Sequence, residues 1–531
     1  MLAKIVIQNY RGFRRFELDF DPDMNILVGD NDAGKTTILE AIELALTGRI
    51  NGRPLAQVLS PYLFNKEATE EYIAALRDGQ TATPPELIID LFFGKEAPAT
   101  LKGTNNLLKL DEPGVRIRAA LNPDYLPEYA EFVKDPTQVR LVPTEYYRVE
   151  WLAFSSNAIT FRSVPATASL IDASNIQLQS GVDYYLNGII SNHLDPRERV
   201  ELSRAYRSLR EAFADDESIV KINEKLRGAP RDVSELELTL GIDVSQKSSW
   251  ESNIVPHLDD LPFQYVGKGE QSTLKVLLAL NRHVEDAHIV LVEEPENHLS
   301  FPNLGKLVKK IGDKCKGKQV FITTHSSYVL NKLGLENLVL LSPTTGFRLD
   351  SLPVDTRDYF RKLSGYDTLR VVLAKRSILV EGPSDELIVQ RAYRDVHDCL
   401  PIEDGVDVIN VRGLSFSRFL DIATLLKANM VTVVTDNDGK DAVDVEAKYA
   451  AYTAYPNISI CVGKGKDRPT LEPQLLGANG LATMNSILNQ NFGSEEELLK
   501  YMKANKTTCA LAIFASEQTI NMPEYIRDAV A

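Results

Sequence analysis

Cysteine is scarce in this chain, four in 531 residues, and Cys315, Cys399, Cys461 and Cys509 form no C-x-x-C pair. That spacing argues against a zinc site or a disulfide framework and suits a reducing compartment. Long apolar runs are also missing. No stretch approaches the roughly 20 residues that cross a bilayer, and the opening "MLAKIVIQNYRGF" turns polar too early for a secretory leader, so a cytoplasmic protein with no membrane attachment is expected. Positive charge is in deficit, with 59 Lys and Arg against 74 Asp and Glu and a formal net charge of -15. Such a chain does not coat nucleic acid through bulk electrostatics, but the balance is compatible with a local basic groove beside an acidic metal centre. Internal repeats and low-complexity tracts are absent from the sequence.

The composition that remains, 44% hydrophobic and 25% charged, is that of an ordinary globular protein, and the length calls for two or three domains. Strand and helix patterns alternate in two series. The first runs through "KIVIQN", "FELDF", "NILVGD", "ELIIDLFF", "HIVLVEE", "QVFITTH" and "NLVLLS", the second through "SILVEG", "VDVINV", "VTVVTD" and "ISICVG". Two such series predict two α/β domains built on parallel sheets. Between about residues 180 and 227 the texture changes to charged helical sequence, with Leu202, Tyr206, Leu209 and Phe213 at helical spacing, which predicts a helical insertion that pairs with a second copy. The expected divisions are 1–165 and 262–350 for a discontinuous first domain, 166–261 for the insertion and 351–531 for the second domain.

"GDNDAGKTT" matches G-x-x-x-x-G-K-[ST] at Gly29, Gly34, Lys35 and Thr36 and lies between a strand and a helix. A loop of this kind turns backbone N–H groups onto phosphates, with the lysine reaching the terminal phosphates of ATP and Thr36 ligating Mg²⁺. Asn31 and Thr37 complete the candidate phosphate-binding set. Downstream, "IVLVEEPENHLS" ends an apolar strand in paired acids: Glu293 to hold magnesium through water, Glu294 to act as general base on the attacking water. "QVFITTHS" ends another in His325, a candidate γ-phosphate sensor. The order of these motifs resembles an ABC-type ATPase, and the start of the chain resembles the SMC and RecF-like branch of that class. "VGKGEQSTLK" is similar to a degenerate ABC signature, with Gly269 and Gln271 as candidate nucleotide contacts. In that class the signature meets nucleotide held by the opposite subunit, so the resemblance implies a dimer.

The second series carries a different chemistry. "ILVEGPSDELIV" ends a strand in Glu381 and sets Asp385 at a helix start, where Ser384 or Asp385 could also serve as N-cap. "VTVVTDNDGKD" ends a strand in Asp436 and Asp438, two residues apart and expected to project from one sheet edge. Side chains at the carboxyl ends of neighbouring parallel strands converge on one crevice. Four carboxylates there would repel one another without cations, and hard oxygen ligands suit Mg²⁺ or Mn²⁺. Two such ions, roughly 4 Å apart, support phosphodiester cleavage. Asp441 reads as a solvated helix-start acid.

This arrangement resembles the Toprim domain. An ABC ATPase followed by Toprim is similar to the OLD (overcoming lysogenisation defect) family, whose members include the nuclease subunit of Gabija-type anti-phage systems. The resemblance implies metal binding at Glu381, Asp385, Asp436 and Asp438, a further metal acid at Glu472 in "TLEPQLL", and a catalytic lysine before an apolar strand and a proline-tyrosine element. Lys506 is offered for that lysine, with Lys500 and Lys503 as rivals. Glu472 reads equally as a helix N-terminal acid.

The expectation is therefore an ATP-regulated, Mg²⁺- or Mn²⁺-dependent DNA endonuclease in anti-phage defence. It would dimerise through the ATPase and the helical insertion, with a tetramer as a further assembly. It would act alone, with a UvrD-like helicase, or with a retron's reverse transcriptase and its DNA. The alternatives are a RecF-like ATP-dependent DNA-binding clamp for repair and a nucleotide-sensing scaffold for a partner effector.

Overall fold

The computed structural model describes residues 1–30, 32–50, 52–160, 163–172, 178–179, 182–183, 194–227, 240, 254–274, 276, 288–342, 344–349, 352–362, 368–412, 415–426 and 429–531. Its first half is built around the helix Lys35–Thr47, which Gly48 closes in the left-handed conformation (φ 69°), the usual glycine stop. Ile38, Ile42 and Ala45 of this helix are buried between two sheets.

One sheet is parallel save for its last strand and runs in the order Ala168–Asp172, Ile289–Glu293, Gln319–Thr323, Met24–Val28, Leu338–Leu341 and Gly346–Arg348. The other is antiparallel and holds Leu2–Tyr10, Phe13–Asp19, Leu87–Phe93, Glu112–Leu121 and Tyr147–Ala153. This second sheet departs from the expectation of parallel sheets throughout. Leu2–Tyr10 and Phe13–Asp19 form a hairpin and Leu87–Phe93, Glu112–Leu121 and Tyr147–Ala153 a meander, neither of which needs a crossover helix. The two are joined by the antiparallel pairing of Leu2–Tyr10 with Leu87–Phe93, across the segment that holds Met24–Val28 and Lys35–Thr47. The sheet buries a bidentate ion pair: Arg116 Nε to Asp90 Oδ1 at 2.6 Å and Nη2 to Oδ2 at 2.7 Å, with the N–H of Leu107 also donating to Asp90.

The second half is a four-stranded parallel sheet in the order Val406–Asn410, Arg376–Val380, Met430–Thr435, Ile458–Val462. Alternation along its strands divides the apolar side chains between two faces. Ile378, Val380, Val408 and Val434 pack beneath the helices Pro383–His397, Leu471–Leu488, Lys506–Ala515 and Glu524–Val530. Leu379, Ile409, Val431 and Val433 face the other way, into a core that also contains Ile26, Val28, Leu330 and Leu338 of the first half. The two halves thus share one apolar core, bridged by the helices Val354–Lys362, Thr368–Leu373 and Phe416–Leu425.

Of the insertion, the helices Pro196–Ala214 and Glu217–Arg227 are described; Asp195 caps the first with a reciprocal bond to Glu198. Leu209 and Phe213 are exposed on this chain alone. Among the described residues no helix is long and apolar enough to cross a membrane.

Candidate functional site

Parallel register brings the nucleotide motifs together. The strands ending in Val28, Glu293 and Thr323 are direct neighbours, so the loop after Val28, the paired acids and His325 meet at one sheet edge, where open α/β sheets bind ligands. Gly34 has φ 86°, and a Cβ there would lie 2.3 Å from the Phe13 ring, so only glycine fits this turn. Lys35 is buried, its Nζ donating to the carbonyls of Gly29 and Asp30 at 3.0 Å each. Burial lowers its pKa, partly offset by Glu294 and Asp30. The Thr36 hydroxyl donates to Glu293, which places the two expected magnesium ligands in contact. Thr37 is half-buried beside them. Asn31 lies outside the described residues.

Glu294 adopts φ 38°. One of its oxygens accepts from Asn297 Nδ2 at 2.8 Å and the other lies 3.4 Å from His325 Nε2. Glu296 is a residue that the motif reading passed over. Its Oε1 accepts from Thr324 Oγ1 at 2.7 Å and from the His325 N–H at 2.6 Å, and burial raises its pKa. It fastens the loop after the acids to the His325 loop; the third acid of "EEPEN" was the available signal. Gly269 packs against the carbonyl of His298, 2.4 Å from where a Cβ would stand. Gln271 is buried, and its amide donates to the carbonyls of Phe263 and Val266 at 2.8 Å each. Within this chain Gln271 therefore holds the turn before its own helix.

At the edge of the four-stranded parallel sheet, Glu381 follows the strand Arg376–Val380 and Asp436 the neighbouring strand Met430–Thr435. Thr435 Oγ1 donates to Glu381 at 2.5 Å. Asp385 is the third residue of the helix Pro383–His397, and its carboxylate accepts the N–H of Gly382 at 3.1 Å. The N-cap is thus Gly382, because Pro383 has no N–H and naturally takes the first helical position. Asp436 accepts the Leu471 N–H at 2.9 Å and the Tyr525 hydroxyl at 3.0 Å. Glu472 is buried, bonded by Thr470 Oγ1 at 2.8 Å and paired with Lys506 Nζ at 3.1 Å.

The electrostatics join these groups into one site. Burial, then Glu381 and Glu472, raise Asp385 to about 6. Burial, then Asp385 and Glu381, raise Asp436 to about 7, against the donors Tyr525 and Leu471. Burial lowers Lys506, but Glu472, Asp385 and Asp436 outweigh it and its pKa is raised. Asp438 stands apart, exposed on the loop. The strand ends at Thr435, and a left-handed turn (φ 50°) directs the Asp438 N–H to the Pro469 carbonyl at 3.0 Å. The two aspartates therefore do not share a strand face. Asp441 stands at the N-cap position of the helix Ala442–Ala447 without a side-chain capping bond and pairs with Lys466 at 3.2 Å.

Lys506 opens a helix, Lys506–Ala515, where an apolar strand was expected. Cys509, Ala510 and Ile513 recur at three- and four-residue spacing and face the core. Arg391 and Arg394 tie the end of this helix to the Asp385 helix by donating to the carbonyls of Ile513 and Phe514, at 2.7 and 2.8 Å. Lys500 and Lys503 lie on the preceding helix, Glu495–Ala504.

Among the described residues no group of three or more His, Cys, Asp or Glu side chains is placed to hold a metal ion by itself. Mg²⁺ commonly uses one or two carboxylates, several waters and substrate phosphates. An open set of hard oxygen donors whose mutual repulsion already raises two of them fits such an ion.

An ABC-type ATPase head joined to a Toprim carboxylate centre is the class that this fold and these sites define. The family described as "AAA domain, putative AbiEii toxin, Type IV TA system" matches residues 24–331, and the chain belongs to it. Residues 372–438 match "Overcoming lysogenization defect protein-like, TOPRIM domain", so an OLD-like Toprim domain follows the ATPase. "Endonuclease GajA" of Bacillus cereus (strain VD045) is 22% identical over 475 residues, 82% of this chain and 75% of that protein. "Retron Ec83 probable ATPase" of Escherichia coli is 34% identical over 123 residues, 23% of this chain and 20% of that protein. The solved C-terminal region of the Burkholderia pseudomallei OLD protein aligns at 20% identity and a TM-score of 0.24 over 30% of this chain and 96% of that one.

Proposed function

We propose that this chain is an ATP-regulated, divalent-metal-dependent DNA endonuclease of anti-phage defence. The observation that carries the reading is the group of Glu381, Asp385, Asp436 and Glu472, coupled through their fields, with Lys506 against Glu472. Carboxylates crowded until two resist ionisation cost stability in the absence of a counter-charge, and a bound cation would relieve that repulsion. Glu381, Asp385 and Asp436 would hold Mg²⁺ or Mn²⁺, with Glu472 and Asp438 as outlying ligands. Divalent ions held there would supply activation of a water and stabilisation of the leaving oxygen of a phosphodiester. Lys506 supplies a cation for charge developing on the phosphate, and its pairing with Glu472 keeps the ammonium at the edge of the acids.

In the ATPase head, Lys35 leaves the carbonyls of Gly29 and Asp30 for the nucleotide phosphates. Glu294, held by Asn297 and facing His325, orients the attacking water. A second copy would complete the nucleotide site through the turn bearing Gly269, and the exposed Leu209 and Phe213 supply apolar surface for that pairing.

The test is cleavage of supercoiled and linear DNA by the purified chain with Mg²⁺ or Mn²⁺, with and without ATP, beside an Asp436→Ala/Asp438→Ala variant. Wild type should nick or cut and the folded variant should not; the ATP arm gives the sign of regulation. Cleavage that survives in the variant would overturn the assignment of the site. A wild type that binds DNA and hydrolyses ATP without cutting would be a RecF-like clamp.

A further inference from the structure

We propose that Tyr525 is a positioning residue for the metal centre, its buried hydroxyl fixing the rotation of the Asp436 carboxylate. The inference rests on the reading of Asp436 as a metal ligand. Tyr525 follows Pro523 on the helix Glu524–Val530 and is 4% exposed. Its ring lies in the apolar core with Ile526, Ala529 and Val530 from the same helix, so the phenol is held by packing. The hydroxyl reaches Asp436 Oδ1 at 3.0 Å, while the Leu471 N–H holds Oδ2 from the other side at 2.9 Å. Gln474 Nε2 stands at 3.5 Å from Oδ1, the limit of a bond.

A carboxylate oxygen has two lone pairs. The two close donors, one on each oxygen, therefore fix the plane of the group and leave Oδ2 a lone pair for a cation; Oδ1 keeps its second lone pair when a cation displaces the long Gln474 contact. Asp385 accepts the nearby Gly382 N–H, and Glu381 and Glu472 are held by hydroxyls adjacent or nearly adjacent in sequence to a site acid, Thr435 and Thr470. Tyr525 is 89 residues from Asp436, so no local turn explains the contact. The hydroxyl is carried through the core to this one oxygen. Partners of metal ligands fix ligand orientation, and their loss typically lowers metal affinity or activity about 10- to 100-fold.

The test is Mn²⁺ binding to the nucleotide-free, full-length chain, followed by electron paramagnetic resonance, for wild type, Tyr525→Phe, Asp436→Asn and the double variant. Thermal melting and circular dichroism accompany each sample. The phenylalanine keeps the ring and removes one oxygen. It should weaken binding by about 10- to 100-fold with the circular dichroism spectrum unchanged. Asp436→Asn should lose that binding class, and adding Tyr525→Phe to it should change nothing further. If Asp436→Asn loses Mn²⁺ while Tyr525→Phe binds as wild type, the hydroxyl is only a satisfied core group and the proposal is overturned. A Tyr525→Phe effect as large on top of Asp436→Asn as alone overturns it too. If Asp436→Asn itself binds as wild type, the ligand reading of Asp436 fails, a result distinct from the other two.

Discussion

Replacing Asp436 by asparagine should make the metal-free protein more stable at alkaline pH while removing its response to metal. Asp436 titrates at about 7 in the fold, raised by burial and by Asp385 and Glu381, against about 4 in an unfolded chain. Between those values the folded state binds more protons than the unfolded one, so stability falls as pH rises from about 4 to about 7 and stays low above it. Three pKa units correspond to at most about 4 kcal/mol. Because Asp385 and Asp436 raise each other, part of that penalty belongs to the pair, and removing one charge should return about 2–3 kcal/mol at pH 8. Asparagine fits the same contacts: its carbonyl can accept the Leu471 N–H, and its amide can donate to the Tyr525 oxygen. The assay is chemical or thermal unfolding in EDTA at pH 5 and pH 8, repeated with Mg²⁺ or Mn²⁺. The variant's advantage should be largest at pH 8 and fade toward pH 5, and metal should stabilise wild type more than the variant. A variant less stable than wild type at pH 8 without metal, or a difference independent of pH, would refute the reasoning.

Gly34→Ala should abolish protection of the ATPase head by ATP in limited proteolysis, because the new methyl would meet the Phe13 ring in a left-handed turn; undiminished protection would count against the assignment of this loop. Asp90→Ala should destabilise the fold by about 3–5 kcal/mol, the usual effect of leaving a buried arginine unpaired, read as a lower denaturant midpoint. Lys506→Gln should lower cleavage while leaving Mn²⁺ affinity equal or higher, since it removes a cation from beside the acids. Loss of metal binding in that variant would mean that Lys506 only holds Glu472 in place.

Much of this architecture is legible in residue patterns because buried parallel strands announce themselves. "HIVLVEE", "QVFITTH" and "VTVVTD" are apolar runs that end in chemistry, and the fold sets each end at a sheet edge. The antiparallel sheet is less legible, since its strands carry the same apolar signal and pairing direction leaves little mark on one strand. Lys506 shows the limit of short apolar runs: "TTCALAIF" suits a strand or a helix, and the core contacts of Cys509, Ala510 and Ile513 decide for the helix. Asp438 departs from the pleat because the backbone turns left-handed two residues after Asp436. Tyr525 and Glu296 act through contacts that only folding creates.

The core shared by the two halves has a mechanical consequence. A hinge between the nucleotide head and the carboxylate sheet would have to uncover Ile26, Leu330 and Leu338 on one side and Leu379, Ile409 and Val433 on the other, at a cost of about 1.5–3 kcal/mol for each large side chain. Nucleotide turnover is therefore expected to move this chain as one lever. The quantity it changes is where the cutting edge stands relative to another copy or to the nucleic acid, while the geometry inside that edge stays constant.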